Sequence, residues 1–251
     1  MKFFTATDWF GRSGPFAYNL DYIVAIVMFL ALAIILPILL RKKGNVTIRK
    51  TLIVLWLINI VLDVTKYSYE WISDLSSGVT SVNSLDFPLW TCSMFLYLMP
   101  IALFVKNEKI SRASTAFICT ISLFAGIVNF AIPADDSLFS FFGMHKFVYH
   151  AILMLTPAIM LGTGYFKPKF KDIIGIMTTF VIVAFPVYIF NVVFQQDYMY
   201  TYNGSWLPFD ASFISFKPLY TVVAVAGYAL LALLVIAIDT GIRKFAQKIR
   251  R

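Results

Sequence analysis

The sequence predicts an all-α polytopic membrane protein, a bundle of seven transmembrane helices with its N-terminus outside and its C-terminus in the cytoplasm. Three observations lead there. Of the 251 residues, 60% are hydrophobic and 14% charged, against about half and about a quarter in soluble domains. The mean hydropathy is +0.80. Seven apolar runs approach the length of about 20 residues that a helix needs to cross a bilayer, and the basic residues fall in alternate connections between them.

The runs lie near 21–40, 51–70, 87–105, 113–132, 147–165, 173–194 and 218–238. The first has no small-residue cleavage site after it and reads as a retained helix. The second carries charge inside it, and the third is short and begins beside Pro88. The remaining four are uninterrupted. Connections are short and no internal repeat is present, so residues 1–251 read as a single integral membrane domain.

Orientation follows from the charges. The segment RKKGNVTIRK joins runs one and two; Lys106, Lys109 and Arg112 follow run three; Lys167, Lys169 and Lys171 follow run five; Arg243, Lys244, Lys248, Arg250 and Arg251 follow run seven. Those positions hold 16 of the 21 basic residues. The other connections carry Glu70, Asp74, Asp86, Asp135, Asp136, Asp197 and Asp210. Basic residues mark the cytoplasmic side, so the net charge of +8 is a topogenic signal and a contact for anionic lipid rather than a nucleic-acid footprint. Membrane lipids are the expected partners; the sequence is silent on oligomeric state.

Polar residues inside the runs are the candidate site. At a helical rise of ~1.5 Å per residue, Cys92 on run three lies roughly 7 Å below the outer boundary, and His150 on run five roughly 5 Å. Asp63 and Lys66 stand three residues apart on run two, where they can pair. Ionisable residues inside a span mark functional sites by default, and a structural ion pair is the equally weighted alternative. Asn129, Tyr188 and Asn191 fall in the outer halves of runs four and six, completing an outer polar pocket. Cys119 reads as a small buried hydrophobe, and His145 and Lys146 as interfacial residues. Trp71, Trp90 and Trp206 fit an outer aromatic belt. Asn203–Ser205 is formally a glycosylation sequon.

A thiolate, not a thiol, is the nucleophile. A histidine within reach of Cys92 would generate it, and a carboxylate, with Asp63 as candidate, would orient that histidine. Tyr, Asn or Lys side chains would steady a tetrahedral oxyanion. The chemistry this suggests is transfer of a phospholipid acyl chain through an acyl-cysteine. One cysteine and one or two histidines fall short of a closed metal site, and no cofactor motif appears. The competing reading is a non-enzymatic binding or transport protein with an outer-leaflet pocket centred on Asp63 and Lys66.

The stretches PLWTCSMFLYLMP and FVYHAILML, with LDVTKY before them and QQDYMYTYNGSWLPFDASFISFKPLY after, resemble the bacterial YwaF-like integral membrane proteins and their eukaryotic relative, transmembrane protein 164. In that pattern Pro-Leu-x-x-Cys opens one helix and an aromatic-rich segment ends in His two helices later, here Cys92 and His150. Tyr198, Met199, Pro218 and Tyr220 match the late loop. The resemblance implies a cysteine and histidine serving acyl transfer onto lysophospholipids, in a bacterial plasma membrane. Many relatives carry His two residues before the cysteine, where this chain has Trp90.

Overall fold

The computed structural model describes residues 20–78, 86–131, 138–202 and 217–249, and these are overwhelmingly helical. The helices are α1 (Leu20–Leu40), α2 (Asn45–Ser76), α3 (Met94–Phe104), α4 (Glu108–Phe117), α5 (Leu123–Ala131), α6 (Phe141–Gly162), α7 (Asp172–Phe194) and α8 (Lys217–Ile249). A π-helical turn, Ile118–Ser122, joins α4 to α5, and a 3₁₀ turn, Tyr198–Tyr200, follows α7. Among the described residues, six helical segments are long and apolar enough to cross a membrane: Asp21–Leu40, Asn45–Ser76, Glu108–Phe130, Phe141–Gly162, Asp172–Phe194 and Leu219–Lys248. Large apolar side chains stand exposed along them, such as Val27, Met28 and Ile34 on α1 or Leu230, Ile242 and Phe245 on α8. In water such faces would aggregate; against lipid they are at no disadvantage.

The third expected span differs. Its helix is Met94–Phe104, 11 residues, or about 16 Å, roughly half the hydrocarbon thickness. Residues 86–93 are turns and bends. The cause is local. Asp86 Oδ1 accepts the Phe87 N–H at 3.0 Å, and Pro88 disfavours helical geometry in the residue before it. Cys92 therefore sits in a turn before the helix, so the depth reckoned from helical rise does not apply to it.

The chain divides into two compact units, residues 1–69 with 122–166 and residues 70–121 with 167–251. In the first unit α6 packs on both α1 and α5. Both contacts rest on glycine. A Cβ on Gly162 would meet the Pro37 Cβ at 2.7 Å, and one on Gly126 would meet the Met154 Cγ at 2.7 Å. The inward face of α2 carries Ile48, Leu52, Asn59, Asp63 and Tyr67, spaced for one helical stripe.

In the second unit α4 packs on α3 and α7. A Cβ on Gly175 would press the Ala113 Cβ at 3.1 Å. Beside that contact Arg112 grips Asp172 in bidentate fashion, Nε to Oδ1 at 2.8 Å and Nη2 to Oδ2 at 2.6 Å. The same carboxylate accepts the Lys169 N–H at 2.8 Å. Helix starts are capped where the sequence allows it: Asn107 Oδ1 accepts from the Lys109 and Ile110 N–H groups, and Ser140 Oγ from Gly143.

The two tight glycines predict different outcomes. Met154 can swing away, which leaves the milder contact with the His150 carbonyl oxygen at 3.3 Å, so Gly126→Ala is near neutral once its helix-propensity gain of about 1 kcal/mol is included. The Pro37 ring cannot yield, so Gly162→Ala overpacks the α1–α6 contact by about 1–3 kcal/mol. Thermal unfolding in detergent should show a lower midpoint for Gly162→Ala alone.

Candidate functional site

In the first unit the polar groups form a seam between α2 and α6. Asp63 on α2 is buried, and its Oδ1 lies 3.1 Å from His145 Nε2 on α6. A carboxylate only accepts, so the imidazole Nε2–H donates. One turn earlier on α2, wholly buried Asn59 donates its amide to the Tyr149 carbonyl at 3.4 Å. The His145 and Tyr149 rings stack, centroids 5.5 Å apart. The expected Asp63–Lys66 pair is not what forms. Asp63 turns to the neighbouring helix, and the Lys66 ammonium lies over the Tyr67 ring, 4.3 Å from its centroid. His145, expected at the interface, is buried.

His150 is oriented by main chain rather than by Asp63. Its Nδ1 lies 2.7 Å from the Lys146 carbonyl oxygen, which can only accept. The Nδ1 therefore carries the proton, and Nε2 keeps its lone pair. That Nε2 is buried and, among the described residues, has no hydrogen-bond partner. His150 lines a small cleft with Asn129, Tyr22, Phe130, Gly143, Lys146 and Phe147, so the structure brings two predicted residues, Asn129 and His150, together. Asn129 also donates to the Ala125 carbonyl at 3.1 Å. Asn59 Oδ1, Asp63 Oδ2, Ser122 Oγ and Thr156 Oγ1 are likewise buried without a partner among the described residues. Buried polar atoms are normally satisfied, so this concentration in one unit distinguishes it from ordinary helix packing.

In the second unit the turn bearing Cys92 docks on the chain that follows α7. Asp86 Oδ1 is the hub. It accepts from the Phe87 N–H, from Trp90 Nε1 at 3.2 Å and from the Tyr198 hydroxyl at 3.2 Å. The Asp86 carbonyl accepts from Trp71 Nε1 at 2.7 Å. The Trp90 ring meets Tyr198 edge-on at 4.9 Å and Tyr200 at 5.9 Å. Trp90 thus both packs against the strap and donates to Asp86.

Residues 195–202 form a strap in which Gln195, Met199 and Tyr200 have φ of 53°, 58° and 50°. Left-handed backbone costs a residue other than glycine roughly 1–2 kcal/mol, so the strap has to be held. Asn191, wholly buried, accepts the Tyr198 N–H at 3.0 Å and donates to the Tyr198 carbonyl at 2.8 Å. The carbonyls of Met199, Tyr200 and Thr201 accept from the hydroxyls of Tyr228 at 3.0 Å, Tyr220 at 2.9 Å and Thr221 at 2.8 Å, all on α8. The Tyr228 proton is used there, so the Thr91 hydroxyl, 2.8 Å from Tyr228 Oη, is the donor in that pair. Tyr188 lies beside the strap, its ring edge-on to Tyr202 at 6.4 Å.

Cys92 itself is half-buried and forms no disulfide with Cys119. Burial, and then the charge of neighbouring Cys92 and of Asp197, push the Tyr200 phenol up, so it stays protonated. Burial and the Asp86 carboxylate do the same to Tyr198. Among the described residues no group of three or more His, Cys, Asp or Glu side chains could hold a metal ion. Trp206 and the Asn203–Ser205 sequon lie outside the described residues.

Asn59, Asp86, His145 and Tyr200 were missed as site residues. The signals were slight: Asn59 stands one turn from Asp63, His145 one turn from Tyr149, and Asp86 four residues before a tryptophan.

A fold of long lipid-facing helices with buried polar seams defines a polytopic α-helical membrane protein. The sequence model of the TMEM164 family matches residues 16–238, and the chain belongs to that family. Neither the curated proteins nor the solved structures give a match.

The Asp63–His145 pair makes its own prediction. His145→Phe leaves a buried carboxylate with neither oxygen bonded, at about 1–3 kcal/mol or more. Asp63→Leu combined with His145→Phe removes both members and recovers most of that loss. A thermal-unfolding double-mutant cycle reads the coupling directly.

Proposed function

We propose that this protein is a membrane-embedded cysteine acyltransferase acting on phospholipid acyl chains, with Cys92 as nucleophile and His150 as base. The observation that carries the reading is family membership with Cys92 present in the Pro-Leu-x-x-Cys turn. The acyl transfer implied by the resemblance to transmembrane protein 164 supplies the reaction class. His150 supports its assigned role by its own geometry, since the Lys146 carbonyl fixes the tautomer that leaves the Nε2 lone pair open to accept a proton.

The reaction has two halves. His150 Nε2 takes the Cys92 proton, and the thiolate attacks an ester carbonyl carbon. The carbonyl π electrons move to oxygen, then return as the ester C–O bond breaks. The lysophospholipid alcohol leaves with the proton that His150 held. The acyl-cysteine then passes its chain to the hydroxyl of a second lysophospholipid by the reverse steps. Asp63, Lys66, Asn129, Tyr188 and Asn191 belong to the surroundings of this chemistry, as headgroup contacts or as supports; Asn191 supports the strap.

The topology that goes with this reading has seven crossings, with the N-terminus outside and the C-terminus cytoplasmic. Residues 86–93 and α3 make the third crossing together, half of it non-helical. Irregular backbone at membrane depth is tolerated where protein surrounds it. The alternation of basic and acidic connections supports this arrangement. A bacterial plasma membrane is the proposed location.

One observation favours a second reading. Asp63 Oδ2 and Asn59 Oδ1 are acceptors one helical turn apart, buried without partners among the described residues. Such a pair suits a small cation or donor group, and flux or binding that requires Asp63 and ignores Cys92 would support that reading instead.

The test is intact-mass spectrometry after incubation with phospholipid micelles, with and without hydroxylamine. The expected result is a hydroxylamine-labile acyl adduct on wild type, absent in Cys92→Ala and at least tenfold slower to form in His150→Ala. Full lipid-acyl transfer by Cys92→Ser would defeat the proposal.

A further inference from the structure

Of the tyrosines around the Cys92 turn and the strap against it, Tyr198, Tyr220 and Tyr228 have their hydroxyls engaged. Tyr198 bonds to Asp86, Tyr220 to the Tyr200 carbonyl and Tyr228 to the Met199 carbonyl. Tyr200 differs. Its main chain is held from both sides, its N–H by the Asp197 carbonyl at 3.1 Å and its own carbonyl by Tyr220. Its hydroxyl makes no hydrogen bond to any described residue, and the side chain is half-buried. Its φ of 50° is left-handed, like those of Gln195 and Met199, and the Tyr220 hydroxyl on α8 helps to hold it there. Strained backbone of this kind collects where a side chain must be aimed.

The aim is towards the Cys92 turn. Trp90, two residues before the cysteine, touches the Tyr200 ring. Thr91, next to the cysteine, is linked through the Tyr228 hydroxyl to the carbonyl of Met199, next to Tyr200. Both residues preceding Cys92 are thus tied to the two ending at Tyr200. A protonated phenol held by fixed backbone against the turn that bears a nucleophile is a preorganised donor.

We propose that Tyr200 donates the hydrogen bond that receives the acyl oxygen when Cys92 attacks an ester. The assignment rests on the acyl-transfer reading above and adds the group that recognises the carbonyl. As the Sγ–C bond forms, the carbonyl π bond breaks and its electrons settle on oxygen. The Tyr200 O–H points its dipole at that oxygen without giving up its proton. When the intermediate collapses, the oxygen regains its double bond, the ester C–O bond breaks and the alcohol departs. Removing one such donor from an acyl-transfer enzyme typically slows reaction about 10²–10³-fold.

The experiment compares two reagents on one thiol, in purified protein carrying Cys119→Ala. The p-nitrophenyl ester of butyric acid acylates through a tetrahedral oxyanion; iodoacetamide alkylates by direct displacement, with no oxyanion. Tyr200→Phe removes one hydroxyl that no described residue uses, so the strap keeps its bonds. The expected result is acylation of Cys92 slowed about 10²-fold with alkylation unchanged. Equal slowing of both reactions would make Tyr200 a support for the turn and overturn the assignment, as would no slowing of either. A wild-type thiol that alkylates but never acylates would overturn the acyl-transfer reading and the role of Tyr200 with it.

Discussion

Non-helical backbone inside an apolar protein must have its polar groups met by side chains, because lipid offers none. Among the described residues, 86–93 and 195–202 show how such groups are met. Asp86 gathers three donors on one oxygen. Asn191 closes on both main-chain groups of Tyr198. Side chains of α8 then meet the next three carbonyls in turn. Each bond is modest, about 0.5–1.5 kcal/mol net. Leaving any one of these groups bare would cost more, so the segments are held even though three residues sit in left-handed conformations. The position of Cys92, its neighbours and the aim of Tyr200 all depend on this arrangement.

The other unit handles its polar groups differently. The α2–α6 seam satisfies half of each side chain: one oxygen of Asp63, the amide nitrogen of Asn59, one nitrogen of His150. The remaining halves are buried acceptors. Purely structural packing favours apolar residues of the same volume over such half-met groups. Their retention is what separates this seam from the α4–α7 contact, where Gly175 and Ala113 close the helices together and Arg112 occupies both oxygens of Asp172.

Much of the fold was legible, and for one reason. Helices that face lipid must be apolar along their whole length, so runs such as 21–40 and 173–194 announce themselves to within a residue or two of α1 and α7. The third run misled because composition reports apolarity, not backbone conformation; Asp86 and Pro88 turn the chain before the helix can begin. The site was legible as a set of residues but not as a set of partners. The rule that pairs Asp63 with Lys66 looks along one helix, whereas the contact with His145 comes from packing between two. Likewise, nothing near Cys92 in sequence foretells a strap whose Tyr198 hydroxyl meets Phe87 across 111 residues. Trp90 is instructive too: it reads in sequence as one of an outer aromatic belt, yet its indole N–H is spent on Asp86 within the turn.

The central claim is that Cys92 reacts as a thiolate generated by His150. It is tested most directly by the pH dependence of Cys92 alkylation by iodoacetamide, measured in Cys119→Ala protein with and without His150→Gln. The account predicts that alkylation is half-maximal below about pH 8.5, the ordinary thiol value, and that His150→Gln moves that midpoint upward. A midpoint at or above the ordinary value that ignores His150 would contradict it.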